Sequence, residues 1–200
     1  IDVAIIATNS DVRRKVIELL LDSVSVDYFL LEKVVFQTVN DFKEIISLFN
    51  NKGIKAWVNC TRRLWPIFQL LKEELKNNKL AIKVDGNNWG LASNAIHMAD
   101  IFSFLTREEG VYVKKYDFDD QIRYSKRDGY VEIYGNIEFF NSTGDILILE
   151  NYYNSNKSIN MEIDSDDKQI LIDQVNEKIT RRNKNKDILI DCIKVPLQSE

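Results

Sequence analysis

The sequence predicts an α/β region followed by an α+β region, and three observations carry that prediction. Over residues 1–79, short apolar runs alternate with segments whose apolar residues recur at helical spacing. A further strand and a long apolar helix follow over residues 80–106. From Val111 onward, apolar and polar residues alternate in short runs separated by turn signals, the pattern of a largely antiparallel sheet with one open face. Two domains are therefore expected, 1–79 and 80–200, with no low-complexity linker between them.

The elements follow in order. "DVAIIAT" (Asp2 to Thr8) reads as a near-continuous apolar strand, the kind covered on both faces of a parallel sheet and paired on both edges. Such a strand rarely opens a domain, so preceding sequence is expected. Ser10 can cap a helix carried by Val12, Val16, Leu19 and Leu20. "YFLLEKV" is the second strand, and Thr38 with Asp41 resembles a capping box that starts a helix striped by Phe42, Ile45, Ile46 and Phe49 and stopped near Gly53. "IKAWVNC" is the third strand. Pro66 suits the first turn of the next helix, whose apolar positions are Ile67, Phe68, Leu70, Leu71 and Leu75. This alternation implies parallel strands with ligands bound beyond their carboxyl ends, the rim that holds Thr8, Asn9, Lys33 and Asn59.

Beyond it, "LAIKVDGNNWG" is a strand and turn, and "LASNAIHMADIFSFLT" is a helix. "YVEIYGNIEFF", "DILILENYY", "SINMEI", "KQILIDQV" and "DILIDCIKV" then read as strands of a sequential meander, with turns at Ser142-Thr143-Gly144 and Asp164-Ser165-Asp166. The basic stretch Arg181, Arg182, Lys184 and Lys186, around Asn183 and Asn185, reads as a solvated hairpin loop.

Composition narrows the function classes. With 44% hydrophobic and 29% charged residues the chain is an ordinary globular protein, and 31 acidic against 27 basic residues argue against a nucleic-acid or anionic-membrane partner. Cys60 and Cys192 are too few for a disulfide framework, and a single histidine rules out a Cys/His zinc cluster. No metal is expected. No apolar run is long enough to span a bilayer and no apolar leader opens the sequence, so a cytoplasmic setting is the expectation.

Three segments, taken together, resemble the glucose-fructose oxidoreductase, inositol dehydrogenase and rhizopine-catabolism family (Gfo/Idh/MocA) of NAD(P)-dependent oxidoreductases. "DVAIIATNSDVRRKVIELLL" is similar to that family's strand ending in Ala-Thr and the helix after it. "LLEKVVFQTVNDFKEIISLFNNKGIKAWVNCTRRLWPIFQLLKEEL" is similar to its Glu-Lys-Pro segment and Arg-Arg-aromatic-x-Pro stretch, and "NNWGLASNAIHMADIF" to its helix with histidine and aspartate three residues apart. The resemblance implies the second half of a Rossmann-like dinucleotide domain, then an α+β substrate-binding and dimerisation domain. The family's Gly-rich turn, which holds the dinucleotide pyrophosphate at a helix N-terminus, has no counterpart here, since all seven glycines lie at or after Gly53. These 200 residues alone should therefore bind NAD or NADP poorly.

The resemblance assigns roles residue by residue. Lys33 would polarise the substrate hydroxyl, and His97 would exchange its proton; the two would serve one cleft. Thr8, Asn9 and Glu32 would lie with Lys33 beside the cofactor. Arg62, Arg63, Asn87, Trp89 and Ser93 would line the substrate pocket. The residues alone favour the bland readings, Lys33 as a snorkelling surface lysine, His97 as a satisfied core or surface residue with Asp100 one turn on, and Trp89 as a packing residue. For Lys33 and His97 it is the resemblance that turns the reading. Arg62 and Arg63 can each clamp an anion or brace the fold. Two departures stand out: Val34 replaces the family's proline, loosening the turn that aims Lys33, and Ser93 stands where many members have aspartate. The implied activity is hydride transfer between NAD(P) and a hydroxyl carbon of a sugar, sugar nucleotide or cyclitol, in a homo-oligomer joined through the open sheet face, where Ile146, Ile148 and Val131 need cover. A non-catalytic ligand-binding or regulatory protein on the same architecture is the rival, with a plain assembly module as a third reading.

Overall fold

The computed structural model describes residues 1–121, 123–125, 129–184 and 188–194. Asn185, Lys186 and residues 195–200 lie outside the described residues, as does the side chain of Cys192. The chain divides into two compact units between Cys60 and Thr61.

The first unit is built from β1 (Val3–Ile6), α1 (Ser10–Ser23), β2 (Tyr28–Leu31), α2 (Val39–Lys52) and β3 (Lys55–Val58). Its three strands pair in parallel in the order β1-β2-β3, as the alternating pattern predicts. One core gathers Ile6, Ile17, Phe29, Leu31, Ile45 and Phe49, so both helices pack on the same layer, with the rings of Phe29 and Phe49 stacked 5.0 Å apart. Half of the capping box forms: Thr38 Oγ1 accepts from the Asp41 amide at 3.1 Å, while the Asp41 carboxylate takes the Thr38 hydroxyl at 2.7 Å and not the Thr38 amide. Thr38→Ala is expected to cost about 1 kcal/mol in a urea titration of this unit. Gly53 ends α2 in the left-handed region at φ 69°, where glycine carries no Cβ penalty.

Several expectations fail here, each for a physical reason. The helix begins at Ser10 itself, with Asn9 in extended conformation before it. Its inward face holds Arg13 and Ile17, with Val16, Leu20 and Leu21 at the flank, whereas Val12 and Leu19 face solvent. Ile46 on α2 is likewise exposed. Among the described residues β1 pairs with β2, and Val3 and Ile5 stand at 56% and 69% exposure beside Tyr28 and Trp57.

The second unit opens with a short 3₁₀ turn at Thr61–Leu64, followed by α3 (Pro66–Glu74), β4 (Ala81–Asn87), α4 (Leu91–Thr106) and β5 (Tyr112–Phe118). A two-stranded ribbon of β6 (Arg123–Tyr124) and β7 (Val131–Glu132) leads to β8 (Gly135–Phe140), β9 (Ile146–Tyr152), β10 (Asn160–Asp164), β11 (Lys168–Asp173), β12 (Lys178–Asn183) and β13 (Ile188–Lys194). The main sheet has eight strands in the order β13-β12-β11-β10-β4-β9-β8-β5. It is largely antiparallel, as expected, but not a sequential meander: β4 lies between β9, to which it runs parallel, and β10. Ile82 and Val84 (2% and 0% exposed) point to the face that packs in the core, and β4 is paired on both edges.

Helices α3 and α4 cover one face of this sheet. Ile67, Phe68, Leu71 and Leu75 of α3 and its exit share a core with Met98, Ile101 and Phe102 of α4 and with Leu147, Leu149, Ile163 and Ile170 of the sheet. That packing places α3 in the second unit, so the division falls before it and not near residue 79. Leu70, on the outer side of α3, is exposed. Arg181 and Arg182 belong to β12, not to a hairpin loop, and Val131 stands in the ribbon, outside the main sheet.

The uncovered face of the sheet is charged at its centre. Lys83 Nζ lies 2.9 Å from Glu150, Lys157 bonds Asp85, and the Tyr152 hydroxyl donates to Glu150. Burial, and then the hydrogen bond to Glu150, push the Tyr152 phenol up to about 12 from its ordinary value of 10. The neutral phenol therefore contributes stability that is fully present below pH 10 and is lost as pH rises toward 12. Urea midpoints measured across that interval should fall more steeply in the natural protein than in Tyr152→Phe.

Candidate functional site

In the first unit the candidate residues gather at the carboxyl ends of the parallel strands. Glu32 directly follows β2, and its carboxylate accepts from the Lys33 amide at 3.0 Å and from Asn59 Nδ2 at 2.9 Å, so it ties the ends of β2 and β3 together. The Lys33–Val34 peptide is cis. Past it, Val35 and Phe36 turn back into the core at 5% and 4% exposure. At the end of β1, Thr8 Oγ1 is buried with no hydrogen-bond partner among the described residues, and Asn9 is exposed.

Arg13, which the sequence reading passed over, organises this rim. It is 2% exposed, and its Nη1 donates to the carbonyls of Glu32 (2.6 Å), Val34 (2.6 Å) and Val35 (2.8 Å), while Nη2 donates to the carbonyl of Thr8. The looseness expected from Val34 is thus offset by a buried guanidinium on one side of the loop and two apolar anchors on the other. A signal existed: Arg13 stands one turn before Ile17, on the stripe that continues through Leu20 and Leu21.

In the second unit, His97 is buried on α4 at 8% exposure. Asp100, one turn on, receives a bidentate pair from Arg63, with Arg63 Nε donating at 2.7 Å to one oxygen and Nη2 to the other. Its carboxylate is therefore committed to the arginine, which braces the 3₁₀ turn against α4 and lies over the Phe104 ring. Arg62 differs. Its guanidinium sits over the Trp65 ring at 5.6 Å, no carboxylate among the described residues pairs with it, and burial pushes its pKa below the usual arginine value. Of the two arginines, Arg62 is the one open to an anion.

The remaining candidates surround the start of α4. Trp89 is a core residue at 6% exposure whose indole N–H donates to the Glu150 carbonyl at 2.8 Å, so its ring packs the unit. Asn87 accepts from the Ser155 amide at 2.9 Å and so holds the loop between β9 and β10. Ser93 is exposed in the first turn, where its hydroxyl lies 3.3 Å from the Gly90 carbonyl. Glu132 of β7, also unforeseen, accepts from the Ala92 amide at 3.0 Å and satisfies one N-terminal donor of the helix.

A nicotinamide dinucleotide fits these residues in part. The orphaned Thr8 hydroxyl, Asn9 and Lys33 present polar groups at the strand ends, where such folds take the reactive end of the cofactor. No Gly-rich turn within the sequence offers a cradle for the pyrophosphate. Among the described residues there is no cluster of three or more metal-binding side chains, and no helix is long and apolar enough to cross a membrane.

Solved structures share this fold. A dehydrogenase (MviM) from Clostridium difficile is similar over 96% of this chain and 62% of its own length, with TM-score 0.69 and 20% identity. The UDP-N-acetylglucosamine 3-dehydrogenase GnnA from Acidithiobacillus ferrooxidans is similar over 98% of this chain and 66% of its own, with TM-score 0.71 and 14% identity. A super-repressor mutant of Gal80p from Saccharomyces cerevisiae is similar over all of this chain and 62% of its own, with TM-score 0.74 and 12% identity. The chain thus spans about two thirds of the length of these proteins. No family model matches it, and no curated protein matches it by sequence. The architecture named by the three sequence segments, a Rossmann-like parallel sheet followed by an α+β unit, is the architecture observed.

Proposed function

We propose that this chain is the greater part of an oxidoreductase that moves a hydride between NAD or NADP and a hydroxyl carbon of a sugar, sugar nucleotide or cyclitol. The observation that carries the reading is the strand-end assembly: Lys33 projects from a loop fixed by Arg13, Glu32 and the buried pair Val35 and Phe36, on a fold shared with dehydrogenases. When bound, the dinucleotide supplies the hydride acceptor or donor. The protein's part is electrostatic: Lys33 stabilises the oxygen that develops charge, and His97 holds or takes the hydroxyl proton. Arg62 favours a substrate carrying phosphate or carboxylate, as a sugar nucleotide does.

The direct test is to titrate the full natural polypeptide with NADH and NADPH and then assay a panel of sugar nucleotides and cyclitols. Binding by neither dinucleotide would remove the reading. Arg62→Gln should raise KM for an anionic substrate with little change in urea stability. Arg63→Gln should instead cost about 1 kcal/mol of stability, because it breaks the half-exposed pair with Asp100. We also propose a cytoplasmic homo-oligomer joined through the uncovered face of the main sheet; a monomer in sedimentation velocity at micromolar concentration would exclude it.

A second reading has its own support. Ser93 cannot supply the negative charge of an aspartate, and the repressor Gal80p shares the fold. Dinucleotide binding without turnover on any substrate of the panel would favour a ligand-sensing regulator.

A further inference from the structure

We propose that Arg13 is the positioning residue for Lys33: its guanidinium, by gathering the Thr8, Glu32, Val34 and Val35 carbonyls, sets the direction in which the Lys33 ammonium leaves the strand end. This rests on the oxidoreductase reading only for the role of Lys33. The contacts are local to the first unit and stand without it.

The acceptors explain the choice of residue. Carbonyls just past the ends of paired strands have no neighbouring-strand N–H to receive, so when buried they need another donor. Two of the four adjoin Lys33, Glu32 before it and Val34 after it; the third, Val35, is two residues on, and the fourth, Thr8, follows the neighbouring strand β1. Convergent carbonyl oxygens repel one another, and a buried cation between them turns that repulsion into attraction. Nη1 serves the Glu32, Val34 and Val35 carbonyls and Nη2 adds that of Thr8, so the fork links the loop to the end of the neighbouring strand; a lysine ammonium offers one nitrogen, and an imidazolium two opposed ones. Arg13 approaches from the inward face of α1, so the first helix sets the loop that follows the second strand. Structural anchoring of a general kind would not need three acceptors within two residues of one lysine.

The experiment measures the rate at which an amine-reactive ester labels Lys33 in the intact chain, read by peptide mass spectrometry against Lys43 and Lys55 of the same unit. In Arg13→Lys the Lys33 rate is expected to rise several-fold while the other two stay unchanged. In Arg13→Gly, added ethylguanidinium is expected to return the Lys33 rate toward the natural value. An unchanged Lys33 rate in folded Arg13→Lys, or no response of Arg13→Gly to ethylguanidinium, overturns the proposal. Should neither variant fold, the natural chain decides: separate, slowly exchanging Arg13 Nη proton resonances are expected, and rotationally averaged ones overturn it. A failed NADH titration would defeat the oxidoreductase reading and leave these results standing, so the two fail separately.

Discussion

Lys33→Met is expected, if the proposed hydride transfer holds, to lower turnover of the full natural polypeptide about 100- to 1,000-fold while leaving dinucleotide binding in place. Oxidising a carbinol sends its hydroxyl proton to a base and its hydride to the nicotinamide, and as the proton leaves the oxygen takes on alkoxide charge, which a nearby ammonium stabilises in the transition state more than in the ground state. Methionine keeps the length and apolar stem of lysine and removes only the cation. His97→Ala should cost about 100- to 10,000-fold through the loss of proton exchange. If both residues serve one step, the double variant should lose far less than the product of the single losses. Steady-state kinetics with fluorescence-monitored NADH binding separates the outcomes. Turnover within the natural range for Lys33→Met would remove the lysine from the chemistry.

Gly135→Ala is expected to destabilise the second unit by about 3–5 kcal/mol. The residue sits at φ 111°, a conformation that L side chains rarely adopt, and an added Cβ would lie 2.2 Å from the Asp117 carbonyl oxygen and 2.8 Å from Phe118 Cα. Both neighbours are backbone of β5, paired to β8 at this point, so neither can move without opening the ladder. Gly53→Ala is the control. Its φ is also positive, at 69°, but nothing lies within 4 Å of the new methyl group, and the cost should stay near 1 kcal/mol. Urea titrations of both variants, followed by circular dichroism, test the difference, and equal losses would contradict the steric account.

Much of this fold was legible because its signals are local. Thr38 with Asp41, Pro66 and Gly53 punctuate helices through chemistry confined to a few residues, and the alternation of strands with helices forces the parallel sheet. The errors share a different origin. Val12, Leu19, Ile46 and Leu70 lie near the apolar side of their helices in sequence, yet which stripe turns inward depends on the partner layer. The place of β4 between β9 and β10 rests on pairing with strands made much later in the chain. Residues 61–79 look like the continuation of the first pattern because α3 is amphipathic, and only the apolar surface it meets assigns it to the second core. Within the candidate site, Lys33, Glu32 and His97 were nameable by motif. Arg13 belongs to no motif: its place on the stripe with Ile17 hinted at burial, but its role becomes legible only when the carbonyls that receive it are known. The commitment of Asp100 to Arg63, and so the availability of Arg62, likewise depends on contacts between distant segments.

The central position of β4 also bears on how the polypeptide is made. During vectorial synthesis both of its eventual neighbours emerge after it, β9 beginning at Ile146 and β10 at Asn160. Until the ribosome has passed them, Ile82 and Val84 have no ladder to join, and a nascent chain interrupted in that interval would present them to chaperones. Completion of the second unit is therefore a late, long-range event, slow in the manner of folds with high contact order.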